Sequence, residues 1–229
     1  VRYLEQPRSV TPLQIAPHDA LGVARMKAAG CIVIGKRNVP EFGLGSHTYN
    51  PVFGTTLNPW DTTRSAGGSS GGAAVSLALQ LQPVADGSDM MGSLRNPAAW
   101  ANVFGLRPSQ GRVPYNPHAG DGYVAMLSTE GPMGRTVRDV AMLLSVQAGY
   151  DARQPLSIAQ DGSAFAQPLQ AQARGLRVGW LGDLGGHLPF EPGILPLCES
   201  ALKRFETLGA AVEPTGLGYP CDEVWQTWL

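Results

Sequence analysis

One segment towards the end of the chain repeats apolar residues at the spacing of a helix face. Within 192–208, apolar side chains recur at intervals of four, three, four and three residues, at Ile194, Cys198, Ala201, Phe205 and Leu208. This spacing predicts an amphipathic helix, with Pro192 in its first turn and Gly209 at its end. Other patterns predict further helices, of which the first has Asp19 as its expected cap, over 19–29, 70–82, 97–102 and 136–149.

Short apolar runs indicate the strands. The run CIVIG at 31–35 is predicted to be a buried strand. Candidate strands follow at 83–89 and 176–180, and loop-forming residues fill 37–68. Because strands and helices alternate, the predicted fold class is α/β, with a central mixed β-sheet flanked by helices.

Composition narrows the classes of function. Only 15% of the 229 residues are charged, below the usual ~25%, and 43% are hydrophobic, which favours a compact body with a sizeable core. The net charge is −1 without a basic stripe, which argues against nucleic-acid binding through an electrostatic footprint. No apolar run reaches the ~20 residues of a membrane helix, so no membrane partner is expected.

The cysteines indicate a compartment rather than a site. Cys31, Cys198 and Cys221 form neither a CxxC pair nor a cluster with zinc-type spacing. Scattered, reduced thiols are typical of the cytoplasm, which is the predicted location. The spacing predicts no metal site.

Two glycine-flanked serine clusters lie close together in the chain, RSAGGSSGGAAV at 64–75 and DGSDMMGSLRNPAAW at 86–100. A glycine-rich turn before a helix is one interpretation of the first cluster. A phosphate-binding loop is a weaker one, because no lysine follows the glycines as in G-x-x-x-x-G-K-[ST]. Acyl transfer is the third, because a serine nucleophile needs N–H donors nearby and glycine-rich backbone supplies them unobstructed.

Familiar serine-hydrolase patterns do not match. The nucleophile elbow G-x-S-x-G is absent, because the second cluster reads MGSLR at 91–95. A Ser-His-Asp arrangement also lacks support, because all the histidines lie in loop-like surroundings, at His18, His47, His118 and His187.

The stretch 50–114, which contains both clusters, resembles the signature of the amidase signature family. The segments DALGVARMKAAGCIVIGKRNVPEF at 19–42 and STEGPMGRTVRDVAMLL at 128–144 resemble that signature's flanks. The helix at 192–208 and the following LGAAVE fit the same layout. The resemblance implies the amidase signature fold, with 1–229 as a single domain that is incomplete at both ends.

The resemblance further implies a serine hydrolase with a Ser–cis-Ser–Lys triad and no cofactor. Ser93 corresponds to the nucleophile, and Ser69 corresponds to the cis-serine that passes a proton between nucleophile and lysine. Backbone N–H groups would form the oxyanion hole, from Met90, Met91, Gly92 and Ser93. Supporting roles fall to Ser70, which would cap the next helix or join the network, and to Asp89 and Arg95, which would fix the turn.

The oxyanion turn departs from the family pattern, since DMMGS at 89–93 replaces D-T-G-G-S. Donation by an N–H does not depend on the side chain, but methionine lacks glycine's access to positive φ. Two interpretations stay open for Met90 and Met91: they narrow an apolar substrate pocket, or they pack inward.

The triad lysine has no clear counterpart. In the family it lies upstream in a K-D-type motif, whereas the only lysines here are Lys27, Lys36 and Lys203. Lys27 and Lys203 are interpreted as solvated charges, and Lys36 is retained as a weak substitute base. We therefore expect a piece of a longer amidase, with a natural short relative lacking full catalysis as the alternative.

The predicted activity is hydrolysis of a carboxylic amide to the acid plus ammonia or amine, through an acyl-enzyme on Ser93. Two alternatives stay open: a protein like the A subunit of glutamyl-tRNA amidotransferase, and a catalytically incomplete binding or scaffold subunit. The expected partner is a small-molecule amide, with a homodimer as the assembly considered. The loop 41–50 is expected to line the pocket.

Overall fold

The computed structural model describes residues 18–115, 127–170 and 172–228. The loop predicted around His118 lies outside these residues. The chain divides into two compact units, Val1–Pro168 and Leu169–Leu229.

The first unit combines helices with short strands. Its helices are α1 (Leu21–Ala28), α2 (Gly71–Ala78), α3 (Arg95–Ala101) and α4 (Val137–Gln147). Its strands are β1 (Tyr49–Asn50), β2 (Gly54–Thr55), β3 (Val84–Asp89), β4 (Phe104–Gly105) and β5 (Thr129–Gly134). The helices and the strand that the sequence predicts in this unit, other than the strand at 31–35, are confirmed with small shifts in their ends.

An antiparallel sheet with the strand order β3-β5-β4 forms the centre of this unit. β3 pairs along its whole length, from Val84 opposite Gly134 to Asp89 opposite Thr129. Side chains alternate across a sheet, and Ala85 joins a buried cluster with α2 and α3, composed of Ala73, Ala74, Leu77, Ala85, Leu94, Ala98, Ala101 and Met133. Val84 instead packs on the opposite face, against the contact between α1 and α4.

The α/β class is confirmed, but the arrangement of strands differs from the prediction. The described residues form three small sheets: the hairpin β1-β2, the sheet β3-β5-β4 and a two-stranded sheet in the second unit. Outside β3 and β5, the strands are only two to four residues long. A single central mixed sheet is therefore not seen in the part of the chain that the structure describes.

The prediction of a buried strand at 31–35 is wrong for the described residues. Cys31 and Val33 are half-buried against the α1–α4 contact, whereas Ile32 is 87% exposed and Ile34 is also exposed. No described strand pairs with this segment. The prediction failed because a continuous apolar run is typical of a strand covered on both faces, and only one face is covered here.

Hydrogen bonds at both ends hold α4 in place. Thr136 and Asp139 form a capping box, in which each side chain accepts a hydrogen bond from the other residue's backbone N–H. At the other end, the Arg25 guanidinium of α1 donates to the carbonyl oxygens of Gln147 at 2.7 Å and Tyr150 at 2.9 Å. Such donors satisfy carbonyls that a helix end leaves open.

The second unit is a strand–helix–strand arrangement followed by a helix. Its elements are β6 (Arg177–Trp180), α5 (Ile194–Thr207), β7 (Ala211–Pro214) and α6 (Cys221–Trp228). β6 and β7 are parallel, as expected for strands joined through a helix. The predicted strand and helix are confirmed, although α5 begins after Gly193 rather than at Pro192.

Candidate active site

The two serine clusters meet within the first unit. Ser69 and Ser70 lie in the turn that enters α2, and Ser93 lies in the turn between β3 and α3. The Ser70 N–H donates to the Ser93 carbonyl oxygen, with 3.3 Å between nitrogen and oxygen. Ser69 and Ser70 are buried, and Ser93 is half-buried. The structure therefore brings together the serines that the sequence analysis assigned to one site.

The turn at 67–71, which we call the serine turn, is held from outside by Thr48. The peptide bond between Gly68 and Ser69 is cis. The buried Thr48 hydroxyl donates to the Gly67 carbonyl oxygen at 2.8 Å and accepts from the Gly71 N–H at 3.1 Å. A Cβ at position 71 would collide with this hydroxyl, so the close approach requires glycine. No sequence motif indicates a role for Thr48, although the loop 41–50 that contains it is predicted to line the pocket.

Ser70 connects the serine turn to β3. It occupies the N-cap position of α2, but its side chain makes no hydrogen bond to that helix. Its Oγ instead lies 3.4 Å from both the nitrogen and the carbonyl oxygen of Ser88. The prediction of a helix cap is therefore wrong, because the hydroxyl is directed to β3, in keeping with the alternative role in a network.

The turn at 89–94, which we call the oxyanion turn, wraps around one carboxylate. The fully buried Asp89 accepts hydrogen bonds from the N–H groups of Gly92 at 2.8 Å and Leu94 at 3.1 Å. Arg95 adds a two-pronged contact, with its Nε and Nη2 each 3.0 Å from a different carboxylate oxygen. The Asp89–Arg95 pair that the sequence analysis selected therefore connects the end of β3 to the start of α3.

A second arginine, Arg107, reaches the same carboxylate. Its Nε lies 3.3 Å from Asp89 Oδ1 and 3.2 Å from the Asp89 carbonyl oxygen, and its Nη2 donates to the Leu127 carbonyl oxygen. Sequence reasoning missed Arg107, since no local spacing connects it with the second cluster.

Electrostatics keep Asp89 ionised. Burial alone would raise the pKa of this carboxyl, but the hydrogen bonds from Arg95 and from the Gly92 and Leu94 N–H groups outweigh burial and lower the pKa below its ordinary value. The turn is therefore organised around a negative charge at neutral pH.

The oxyanion turn accommodates its methionines. The positive φ falls on Gly92, at 107°, and not on Met91, so position 91 does not require glycine. Within the described residues, the N–H groups of Met90, Met91 and Ser93 make no hydrogen bond, whereas the Gly92 N–H is already engaged by Asp89. The expectation of four donors is thereby reduced to three available ones.

The side chains of both methionines point away from the core formed by the described residues. Met90 is 43% exposed and Met91 is 57% exposed. The interpretation that they pack inward is therefore wrong for this part of the chain, which leaves the interpretation as apolar walls beside the turn.

A pair of carboxyl groups lies on the other face of the β3–β5 ladder. Glu130 is opposite Ser88, and Asp86 is opposite Pro132, which makes the two acids diagonal neighbours on one face. Burial, and then the negative charge of Asp86, raise the pKa of Glu130 to about 8. Burial also raises the pKa of Asp86.

Among the described residues, the lysines have neighbours other than the two serines. The Lys27 ammonium pairs with Asp19 at 2.6 Å, so Asp19 binds this lysine, while Ala20 holds the N-cap position of α1. Lys36 is exposed after the run 31–35, and Lys203 lies on α5 of the second unit. Within the described segments, Ser69 and Ser93 make no hydrogen bond to a lysine.

The histidines have other neighbours. His47 Nδ1 lies 2.8 Å from Ser65 Oγ, and its ring lies beside that of Trp100. His187 lies in the second unit, 3.6 Å from the Asp222 carboxylate. Neither ring forms a Ser-His pair with Ser69 or Ser93 among the described residues.

Two further classes of feature are absent from the described residues. These residues hold no group of three or more His, Cys, Asp or Glu side chains that could bind a metal ion. None of their helices is long and apolar enough to cross a membrane.

Comparison with known proteins places this geometry in a family. The family model described as Amidase matches residues 11–226, nearly the whole chain. The chain belongs to the amidase family. The cis peptide at Ser69 and the turn before Ser93 therefore lie inside the region that matches the family model.

Relatives of this chain from the amidase family include proteins with different names. It is 42% identical over 214 residues to an acylamidase of Rhodococcus erythropolis, covering 92% of this chain and 44% of that protein. It is 39% identical over 209 residues to the A subunit of glutamyl-tRNA(Gln) amidotransferase of Nitrosococcus oceani, covering 88% of this chain and 41% of that protein.

A solved structure agrees with the fold. The chain matches a bacterial aryl acylamidase of the amidase signature enzymes with a TM-score of 0.85 and 34% identity, covering 99% of this chain and 48% of that one. The chain thus spans less than half the length of each of these relatives.

Proposed function

We propose that the protein hydrolyses a carboxylic amide to the acid plus ammonia or an amine, through an acyl-enzyme on Ser93. The observation that carries this proposal is the contact between the two serine clusters, where the Ser70 N–H binds the Ser93 carbonyl oxygen. Membership of the amidase family supports the same reaction class.

The chemistry begins with attack by Ser93 Oγ on the amide carbonyl carbon. As the new C–O bond forms, the Ser93 proton passes to the Ser69 hydroxyl, and the proton of Ser69 passes to a general base. The protonated base returns a proton to the amide nitrogen as the C–N bond breaks. Water then attacks the acyl-enzyme, which releases the acid and restores the Ser93 hydroxyl.

The negative charge that develops on the carbonyl oxygen needs donors. In this proposal they are the N–H groups of Met90, Met91 and Ser93, which make no other hydrogen bond within the described residues. Losing one such donor typically costs about 3 kcal/mol of transition-state stabilisation. Gly92 acts indirectly, because its N–H ties the turn to Asp89.

The proposed substrate is a small amide with an apolar acyl group. The exposed thioether chains of Met90 and Met91 flank the donors and would contact such a group. The general base is a lysine in the family that the sequence resembles, and we assign it to none of Lys27, Lys36 and Lys203.

Two alternatives rest on specific observations. The relative at 39% identity that is named as the A subunit of glutamyl-tRNA(Gln) amidotransferase favours a role within an amidotransferase. The alternative of a binding or scaffold role comes from the sequence, in which none of Lys27, Lys36 and Lys203 matches the K-D-type motif of the family. We also propose a cytoplasmic location, because the cysteines are free thiols. A homodimer is the proposed assembly, and sedimentation of the protein in solution tests it.

Replacement of each serine tests the function. Ser93→Ala should abolish hydrolysis of a panel of aliphatic and aryl amides, by at least about 10⁴-fold in kcat, and should abolish labelling by a fluorophosphonate probe. Ser69→Ala should lower kcat by about 10²- to 10⁴-fold, the usual contribution of acid–base catalysis.

The matched control is Ser200→Ala, which removes a hydroxyl from the exposed face of α5 and should leave both readouts unchanged. Wild-type turnover or labelling in the Ser93→Ala variant would refute the assignment. In a protein that also contains the lysine segment of the family, an active Ser93→Ala variant or an inactive wild type argues against the hydrolase, and the second outcome favours the scaffold alternative.

A further inference from the structure

We propose that Thr48 is a positioning residue for the cis-serine: its hydroxyl fixes the serine turn on both sides of Ser69. This inference rests on the proposed function, in which Ser69 passes the proton. It concerns a residue outside both serine clusters, placed there by the fold rather than by the motif.

The contacts of Thr48 bracket Ser69. The hydroxyl donates to the carbonyl oxygen of Gly67, two residues before Ser69, and accepts from the N–H of Gly71, two residues after it. The Ser69 carbonyl oxygen lies at 3.4 Å as a second, longer acceptor. One hydroxyl proton and two lone pairs are enough for a donor and an acceptor contact at the same time.

The hydroxyl also replaces a missing helix cap. Gly71 begins α2, and its N–H is one of those that a helix start leaves without an intrahelical partner. The residue at the N-cap position, Ser70, gives no side-chain cap. Thr48 therefore supplies the cap from a distant part of the sequence, and it does so from a buried position where water does not substitute.

Thr48 is itself held by the neighbouring hairpin. Thr48 directly precedes β1. Its carbonyl oxygen accepts a hydrogen bond from the Thr56 N–H at 2.9 Å. Asn50, two residues later, donates to the Val39 carbonyl oxygen at 2.9 Å. The Thr48 hydroxyl thus holds the serine turn in a fixed position. This position affects the reaction, because displacement of a reacting group by about 1 Å can lower the rate about 10²-fold.

The test compares Thr48→Val with Thr48→Ser in the intact protein. Valine keeps the shape and removes both hydrogen bonds, whereas serine keeps the hydroxyl. We expect Thr48→Val to lower kcat by about 10²-fold with KM changed by less than about 3-fold, and Thr48→Ser to restore kcat to within about 5-fold of wild type, since the retained hydroxyl preserves both contacts. kcat is expressed per active site titrated with a fluorophosphonate, so that a smaller folded fraction does not count as slower chemistry.

Thr56→Val is the matched control. Thr56 is a half-buried threonine of the same hairpin region whose Oγ1 binds Asn38 and makes no hydrogen bond to the serine turn within the described residues. Its kcat per titrated site should equal that of wild type. If Thr48→Val yields no folded protein, Thr48→Cys replaces it, because a thiol fills the space and is a weaker donor, and an intermediate kcat is then expected.

The outcomes distinguish the positioning role of Thr48 from the proposed amide hydrolysis on which it rests. An active wild type with unchanged kcat in Thr48→Val, or in Thr48→Cys where it is used, overturns the positioning role alone. A loss in Thr48→Ser as large as in Thr48→Val overturns it too, because the hydroxyl would then be irrelevant. A wild type that neither hydrolyses amides nor reacts with the probe overturns the proposed function and this inference with it.

Discussion

Two carboxyl groups on adjacent rungs of one β-ladder differ in charge at neutral pH: Asp89 is ionised, whereas Glu130 keeps its proton. Asp89 ends β3 opposite Thr129, and Glu130 is opposite Ser88, one rung away and on the other face. The pKa of Asp89 is lowered, whereas that of Glu130 is raised to about 8. Burial raises both values, so the difference comes from the neighbours: Arg95 and two N–H donors around Asp89, and another carboxyl beside Glu130.

This difference shows that hydrogen-bond donors, rather than the degree of burial, decide which carboxyl group stays ionised. The face that carries the oxyanion turn keeps a fixed negative charge. The face that packs towards α1 and α4 keeps a proton. Mutations on the two faces should therefore give opposite pH responses.

The largest expected effect comes from removing the charge of Asp89. Asp89→Asn leaves Arg95 and Arg107 without their anion and removes an acceptor of the turn. Breaking a buried pair on one side costs about 3–5 kcal/mol, and because the Arg95 side chain is 55% exposed, we expect a loss at the lower end of that range. Urea unfolding at neutral pH measures the loss.

The stability lost in Asp89→Asn should depend on pH. Because the folded-state pKa of Asp89 is lowered from 3.8, its stabilisation is full above that value and is lost as the pH falls through the folded-state pKa. The difference between wild type and Asp89→Asn should therefore shrink in acid. A difference that stays constant down to strong acid would show that charge does not hold the turn.

The opposite response is expected for Glu130→Gln. Since the pKa of Glu130 rises from 4.5 to about 8 on folding, the folded state holds a proton that the unfolded state releases, and stability falls as the pH rises between these values. Glutamine abolishes this fall. We expect the variant to be about 2–3 kcal/mol more stable than wild type above pH 8. This gain is smaller than the full pKa shift implies, because water around a half-buried side chain screens part of the effect.

Thermal and urea unfolding from pH 4 to pH 9 measure this stability curve. Near pH 4 the two proteins should nearly match, since the carboxyl is neutral in the folded state and mostly neutral in the unfolded state there. A wild-type curve without a decline towards alkaline pH would remove the contrast between the two faces.

The third effect concerns the backbone of the oxyanion turn. Gly92→Ala forces a side chain into φ 107° and brings a Cβ to 2.6 Å from the Asn96 amide. A left-handed conformation costs roughly 1–2 kcal/mol for a non-glycine residue, so we expect a loss of about 2 kcal/mol together with lower kcat. Gly22→Ala in α1, where the added Cβ meets nothing within 4 Å, is the control and should be neutral or slightly stabilising.

The smallest effect separates the two arginines. Arg95→Lys loses the two-pronged contact with Asp89 and should cost about 1 kcal/mol, since lysine gives only a point charge. Arg107→Lys should cost less, because Arg107 makes one carboxylate contact. Urea unfolding of both variants in parallel checks the order, and a larger loss in Arg107→Lys would reverse the assignment of the main partner.

Sequence reasoning located the residues of the site that lie inside one continuous motif. The resemblance of this motif to the amidase signature implies roles for Ser69, Ser93, Asp89 and Arg95, and these residues lie in or beside the two turns. Thr48 was missed because its partners are about twenty residues away in the chain and no local pattern reports such a contact.

The same limit explains the errors in the fold. The run 31–35 has the composition of a strand, but pairing depends on neighbours that composition does not reveal. Ser70 has the residue type of a helix cap, yet its hydroxyl is directed to Ser88, because β3 competes for it. Helices such as α4 were predictable because periodicity and a capping box are local properties.

The exposed positions 90 and 91 make this turn suitable for directed evolution. The N–H groups stay in register through Asp89 and Gly92, while the Met90 and Met91 side chains pack against no buried cluster of the described residues. A saturation library at these two codons would vary the wall beside the reacting carbonyl and leave the donors in place. Selection on amides of increasing acyl bulk would then screen for specificity without first losing the fold.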